Sequence, residues 1–352
     1  MPQLKELSGA CLNYPAIDNH AHPLLKSEFR NKYPFEHLVS EASGDALTED
    51  APHTLACLRA TAQLAPVLGL EKDASWQEVK AKRGATPYLE FCKRFMDPCK
   101  IRCLLLDDGL GGVEEFCESL GWHTENFCQT KRIVRVEVEA EKILANLMTK
   151  ERVGSGSAFD EFKDTLKNLL VEHAKDAFVV GFKSIVCYRT GLDVSPTSEG
   201  LDESRFGSCL QNIRKKYEVD GVVRLEIKPL NDLVVQIALD VAGEYDKPVQ
   251  FHTGLGDSDI TLSLSSTAHM QSIIKEYSKT KFVLLHASYP YMRDAGYLTA
   301  AYPNVFLDFG EVLAEMIEAG ELSEGQAVSI VKNALFHNSN RLYKLGYSEP
   351  EI

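Results

Sequence analysis

The residues best suited to chemistry stand early. "AIDNHAH" (16–22) places His20 and His22 two positions apart at the end of a short apolar run. In a strand, positions i and i+2 point to the same side, so both imidazoles can address one point. Neutral imidazole is a good ligand for zinc and other borderline divalent metals, and an HxH pair on a strand presents two of them already oriented. Taken alone, the pair fits a ligand pair or two satisfied structural histidines. Two more histidines shift that balance: His252 in "PVQFHTG" and His286 in "FVLLHASYP" each stand where an apolar run turns polar. Lys183 interrupts the apolar run "VVGFKSIV", and a buried lysine must be paired, neutralised or chemically modified. The remaining histidines (37, 53, 123, 173, 269, 337) sit in helical or loop contexts and read as structural or solvated.

The elements that must position these residues recur along the chain. Apolar, β-branched runs at 16–22, 100–109, 132–140, 177–186, 247–254, 281–290 and 304–310 read as strands buried on both faces. Between them lie helical patterns, such as 160–176 with Phe162, Leu166, Leu169 and Leu170, and also 230–245 and 270–279. Strand and helix in alternation predict a parallel sheet with right-handed crossovers. Nearly every strand ends in polar or ionisable residues, and a (β/α)8 barrel gathers all strand C-termini at one face, where its site lies. No G-x-G-x-x-G follows a strand, so an open dinucleotide-binding sheet is disfavoured. The expected fold is therefore α/β, a TIM-type (β/α)8 barrel forming a single domain over 1–352. Residues 26–99 are too long for a simple crossover and predict a helical excursion over the barrel mouth, with 86–97 a clear amphipathic piece. The Gly/Ser patch 153–160 reads as a loop before a helix, with Ser157 as N-cap.

Composition narrows the partners. The chain has 352 residues, 44% hydrophobic and 25% charged, typical of a globular protein. A net charge of −13 disfavours nucleic acid and anionic membrane surfaces. No apolar run reaches the roughly 18 residues of a membrane span, and the first residues show no secretory apolar core. Nine cysteines without paired spacing read as reduced, mostly buried thiols, so a cytoplasmic location is expected. A small molecule is the expected partner, and a homo-oligomeric state is compatible with the sequence.

HxH on strand 1, Lys on strand 4 and His on strands 5 and 6 resemble the metal-dependent amidohydrolase superfamily. "GFKSIVCYRTGL", "FHTGLGDSDI", "VLLHASYPYMRDAGYLTAAYPNVFLD" and "NALFHNSNRLYKL" resemble one branch of it, the amidohydrolase-related domain of fluG-type and nodulin/glutamine-synthetase-like proteins. The resemblance implies that His20, His22 and His252 bind a divalent metal, zinc first among the candidates. His286 would hold a second metal or shuttle a proton, and Lys183 would be a carbamylated bridging ligand or a substrate contact. Tyr188, Arg189, Asp257 and Asp259 would lie on the substrate side, with Arg189 able to hold a carboxylate bidentately. The implied reaction is hydrolysis of an amide-type C–N bond in a small, carboxylate-bearing substrate of nitrogen metabolism. A decarboxylase of the same superfamily and a degenerate regulatory barrel are the alternatives.

One part of the pattern is absent. The superfamily normally supplies an Asp at the end of strand 8, as ligand and base, whereas only seven strands can be counted. Asp308 in "NVFLDFG" belongs to strand 7, and 311–346 reads as two helices, the second opening with a capping-box pattern at Ser323 and Gln326. Strand 8 is expected to be missing, with the break between Gly310 and Leu313. Asp308 or Glu311 is the candidate to replace the lost base.

Overall fold

A computed structural model describes residues 4–149, 157–197, 200–308 and 323–350. Seven strands form one sheet in sequential order: β1 (Ala16–Ala21), β2 (Ile101–Asp107), β3 (Gln129–Arg135), β4 (Val179–Ser184), β5 (Pro248–Phe251), β6 (Lys281–Leu284) and β7 (Val305–Leu307). Each pairs in parallel with the next. β4 and β5 are buried on both faces while the edge strands β1 and β7 are largely half-buried, and the period-two alternation sorts the side chains. Ile17, Cys103, Leu105, Ile133, Val283 and Leu285 share the inner cluster. Val134, Phe182, Val249, Phe251, Phe282 and Leu284 join the outer layer with the helices.

The sheet is curled. Four strand spacings would put β1 and β5 roughly 19 Å apart in a flat sheet. Instead the Gln250 side chain in β5 donates to the Asn19 carbonyl in β1 at 2.5 Å. This is a (β/α)8-type barrel short of one strand, as expected. Among the described residues no eighth strand appears, and the terminal helix packs against the inner face of the sheet. Its Phe336 and the following Leu342 and Tyr343 are buried in the same cluster as Ile17 and Leu105. Gln250 also donates to the Tyr343 hydroxyl at 2.8 Å, and Phe336 meets Tyr14 edge-on at 6.2 Å. The helix Glu324–Lys332 begins with the expected Ser323–Gln326 capping box and continues through Asn333–His337 to Leu342. The preceding helix expected within 311–346, Glu311 and the expected break at Gly310–Leu313 lie outside the described residues.

The segment between β1 and β2 builds a core of its own. Cys57, Ala65, Leu68, Trp76 and Val79 are buried together, with Phe35, Phe91 and Phe95 against them. Within it the Tyr88 hydroxyl donates to the Leu25 carbonyl, and Leu25 forms an antiparallel bridge to Cys117 after β2. The amphipathic piece is the helix Tyr88–Met96. The helix Ala158–Lys175 buries Phe162, Leu166 and Leu170, and its N-cap hydroxyl at Ser157 accepts the Asp160 N–H.

One strand boundary needs correction. The run 132–140 reads as a strand, but β3 ends at Arg135 and the helix Val136–Thr149 starts at once. Val136, Ala140, Ile143 and Leu144 are buried at helical spacing. The alternation of Val136 and Val138 mimics a strand, yet beyond Arg135 β4 offers no further partner in the register. The strands carrying His252 and His286 are also shorter than their apolar runs, so both residues sit just past the strand ends.

Candidate functional site

The four histidines singled out by position meet at one end of the barrel. His20 and His22 have ring centroids 5.3 Å apart, His20 and His286 5.1 Å, and His252 and His286 4.5 Å. An irregularity between Asp18 and Ala21 interrupts the β1–β2 register, and Asp18 Oδ1 accepts the His20 N–H at 3.2 Å. Such a local break re-aims the side chains of the strand end.

Hydrogen bonds to backbone carbonyls set two tautomers. His22 Nδ1 lies 3.0 Å from the Asp107 carbonyl and must donate to it, leaving the lone pair of the neutral ring on Nε2. His252 Nε2 donates to the Leu255 carbonyl at 2.5 Å, so its Nδ1 carries the lone pair and faces His286 Nε2 at 3.1 Å. Burial is the main reason that all four rings stay neutral. It lowers His20 to about 2, helped by the Lys183 ammonium, and His252 to about 3, helped by His286. His286 falls to about 4 through burial and Lys183, and His22 is lowered by burial against the pull of Asp107.

Lys183 is 2% exposed, and its Nζ lies 3.1 Å from Nε2 and 3.4 Å from Nδ1 of His20. Those nitrogens flank one ring carbon, so the ammonium addresses that edge and makes at most one good hydrogen bond. Burial lowers Lys183 to about 8, with Asp107 opposing the shift from 3.4 Å.

Asp107 and Arg135 are the functional neighbours that sequence reasoning missed. Asp107 is fully buried and accepts from Arg135 Nη2 at 2.6 Å. Burial alone would raise its pKa, but Arg135 and Lys183 outweigh that and hold it at about 2. The signal was the alternation itself: Cys103, Leu105 and Asp107 are in step, as are Ile133 and Arg135, so the last inward position of each strand carries charge.

The turn after β6 is conformationally costly. His286, Ala287 and Ser288 take φ of 63°, 48° and 54°, all left-handed and none glycine. Each such residue costs on the order of 1–2 kcal/mol. Asp308, expected as a catalytic base, directs its carboxylate at this turn: it accepts the His286 N–H at 2.9 Å and the Ala287 N–H.

The expected substrate-side residues are spread along the rim. The Tyr188 ring lies against His252, with centroids 4.3 Å apart, and burial chiefly pushes its phenol pKa up. Arg189 turns to Glu141 at 3.4 Å rather than to the imidazoles, and its buried Nε has no hydrogen-bond partner among the described residues. Asp259 pairs with Arg224 at 2.9 Å, while Asp257 caps the same exposed loop by accepting the Asp259 N–H. A cavity of about 1120 Å³ opens beside the site, sharing Arg135 with it and lined also by Glu141, Arg189 and Arg224.

The donor chemistry fits a divalent cation. Four neutral imidazoles converge, and two of them have one nitrogen pinned to a carbonyl, which fixes the lone pair on the other nitrogen, the usual way of orienting a metal-binding histidine. Among the described residues, no three His, Cys, Asp or Glu side chains already surround a single point as ligands.

Comparison with known proteins agrees with this architecture. The family model described as Amidohydrolase matches residues 148–336. Protein fluG of Emericella nidulans is 35% identical over 422 residues, covering 99% of this chain and 48% of its own length. The chain thus spans about half the length of that curated relative. The match runs over 422 residues against the 352 of this chain, so at least 70 matched positions have no counterpart here, in keeping with a shortened barrel. A solved structure of a candidate metal-dependent hydrolase from Lactobacillus casei has the same fold, with a TM-score of 0.75, 23% identity and coverage of 96% of this chain and 97% of that one. With more than half of its length matched by the family model, the chain belongs to the amidohydrolase family.

Proposed function

We propose that this protein is a metal-dependent hydrolase of an amide-type C–N bond in a small, carboxylate-bearing substrate, acting as one barrel domain with residues 26–99 over its mouth. The observation that carries this reading is the convergence of four neutral imidazoles from the ends of β1, β5 and β6. His20, His22 and His252 would hold a divalent cation, with zinc favoured by the all-imidazole donor set. When bound, such a cation supplies Lewis acidity, acidifying water and polarising a carbonyl oxygen.

The chain's own residues do the rest. His286, neutral at pH 7, donates its Nε2–H to His252 and keeps its lone pair on Nδ1, where it can take up a proton and hand it to the departing nitrogen. Lys183, lowered to about 8, keeps enough neutral amine near neutral pH to be carbamylated as a further ligand. Asp107 and Arg135 hold that amine in place. Tyr188 covers His252, and Arg189 sits in the wall of the adjoining cavity, where it would meet the substrate carboxylate. Glu41, from the segment between β1 and β2, adds to the negative field at Tyr188, which supports placing that segment at the mouth.

A second reading, a barrel that binds metal or ligand without turnover, is favoured by one observation. The Asp308 carboxylate accepts two backbone N–H groups in this structure rather than standing free as a replacement base. Incubation with a panel of N-acyl and γ-carboxamide amino acids, with and without chelator, separates the readings. Chelator-sensitive release of ammonia or amine supports hydrolysis, release of carbon dioxide alone indicates the lyase, and bound metal without turnover indicates the degenerate barrel.

A further inference from the structure

The turn Leu285–Ser288 is the most constrained backbone near the site. Three successive residues without the freedom of glycine hold left-handed φ values, and the first of them is His286. A turn of this kind persists only where its surroundings over-determine it. One side is provided by Thr253, whose hydroxyl donates to the Leu285 carbonyl at 2.6 Å and lies 2.8 Å from the Ser288 hydroxyl. The other side is Asp308. Pairing of Leu284 with Leu307 brings the end of β7 beside the turn, and the Asp308 N–H donates to the Leu284 carbonyl at 3.3 Å. Its two carboxylate oxygens then receive the two N–H groups that the reversed backbone turns outward.

We infer that Asp308 is a positioning residue: by accepting the His286 and Ala287 N–H groups it holds the left-handed turn that aims the His286 imidazole at His252 and His20. A carboxylate suits this place because it offers two acceptor oxygens to two converging donors, whereas an amide would oppose one donor with its own NH2 group. Among the described residues Asp308 makes no hydrogen bond to any of the four imidazoles. Its action on the site therefore passes through the backbone of residue 286. The inference rests on the role proposed for His286, and its test is read on two independent scales.

Asp308→Ala and Asp308→Asn are compared with the full-length wild type. Hydrogen–deuterium exchange of the peptide spanning 283–290 is followed after chelator treatment, and zinc affinity is measured by competition with a chromophoric chelator. Exchange in this peptide rises at least tenfold in Asp308→Ala while other barrel peptides are unchanged, and zinc affinity falls about 10- to 100-fold, as for other groups that orient a ligand. Asp308→Asn, which keeps the volume and one acceptor oxygen, lies between the two. Wild-type exchange in Asp308→Ala overturns the inference. So does wild-type exchange in Asp308→Asn together with abolished zinc binding, which would make the carboxylate itself a ligand. If Asp308→Ala does not fold, Asp308→Asn decides: increased exchange confined to this turn supports the inference, and wild-type exchange contradicts it. If the wild type binds no zinc but exchange rises as expected, the positioning role stands and the metal reading fails.

Discussion

Asp107 joins the two kinds of chemistry at the site, because it faces Arg135, Lys183 and His22 at once. Removing a buried partner leaves the others charged and uncompensated, at a cost of about 3–5 kcal/mol. Asp107→Ala should therefore destabilise the protein by that order in urea unfolding, and should release the Lys183 ammonium from its position beside His20. The histidines were legible in the sequence because the residue is rare and each stood at the polar end of an apolar run. Asp107 and Arg135 were not. A charged residue at a strand end is equally a turn residue until the register shows that it continues the inward row.

The element between β1 and β2 carries its own pH response. Glu36 is 3% exposed and accepts from Trp76 Nε1 at 3.0 Å and Lys80 Nζ at 2.6 Å. Burial alone would raise its pKa, but the hydrogen bond from Lys80, with that from Trp76, holds it below the ordinary value of 4.5. A depressed folded pKa contributes stability that is present above the unfolded value and is lost as the pH falls through the folded one. Trp76 emission should thus report loosening of this element below about pH 4.5, and Glu36→Gln should flatten that acid limb while lowering stability at pH 7. The helical excursion was legible from its length and amphipathic spacing. The change from strand to helix at Val136 was not, because Val-x-Val satisfies both periods and only the end of pairing with β4 decides between them.

At the scale of the whole molecule, a barrel without its eighth strand has to hide its interior by other means. The terminal helix does this with Phe336, Leu342 and Tyr343, and with the bond from Gln250 to the Tyr343 hydroxyl. That the barrel would lack a strand could be counted from the sequence. That the last helix would pack on the inner cluster could not, since Phe336 and Tyr343 lie on an ordinary amphipathic pattern that does not name its partner. Removing residues 323–350 should expose Ile17, Leu105 and Val283, raise binding of a hydrophobic dye several-fold, and drive self-association through the open sheet edges, followed by light scattering.

The central claim is that the four imidazoles make a metal site, and metal content tests it most directly. Protein purified without chelator and analysed by elemental mass spectrometry should carry close to one divalent metal per chain or more. The metal should be removed by a strong chelator, restored by zinc, and absent from the double variant His20→Asn, His22→Asn, provided that the variant keeps its fold. Wild-type protein that holds no metal above background, even after incubation with zinc, manganese or iron(II), would contradict the claim and every enzymatic role built on it.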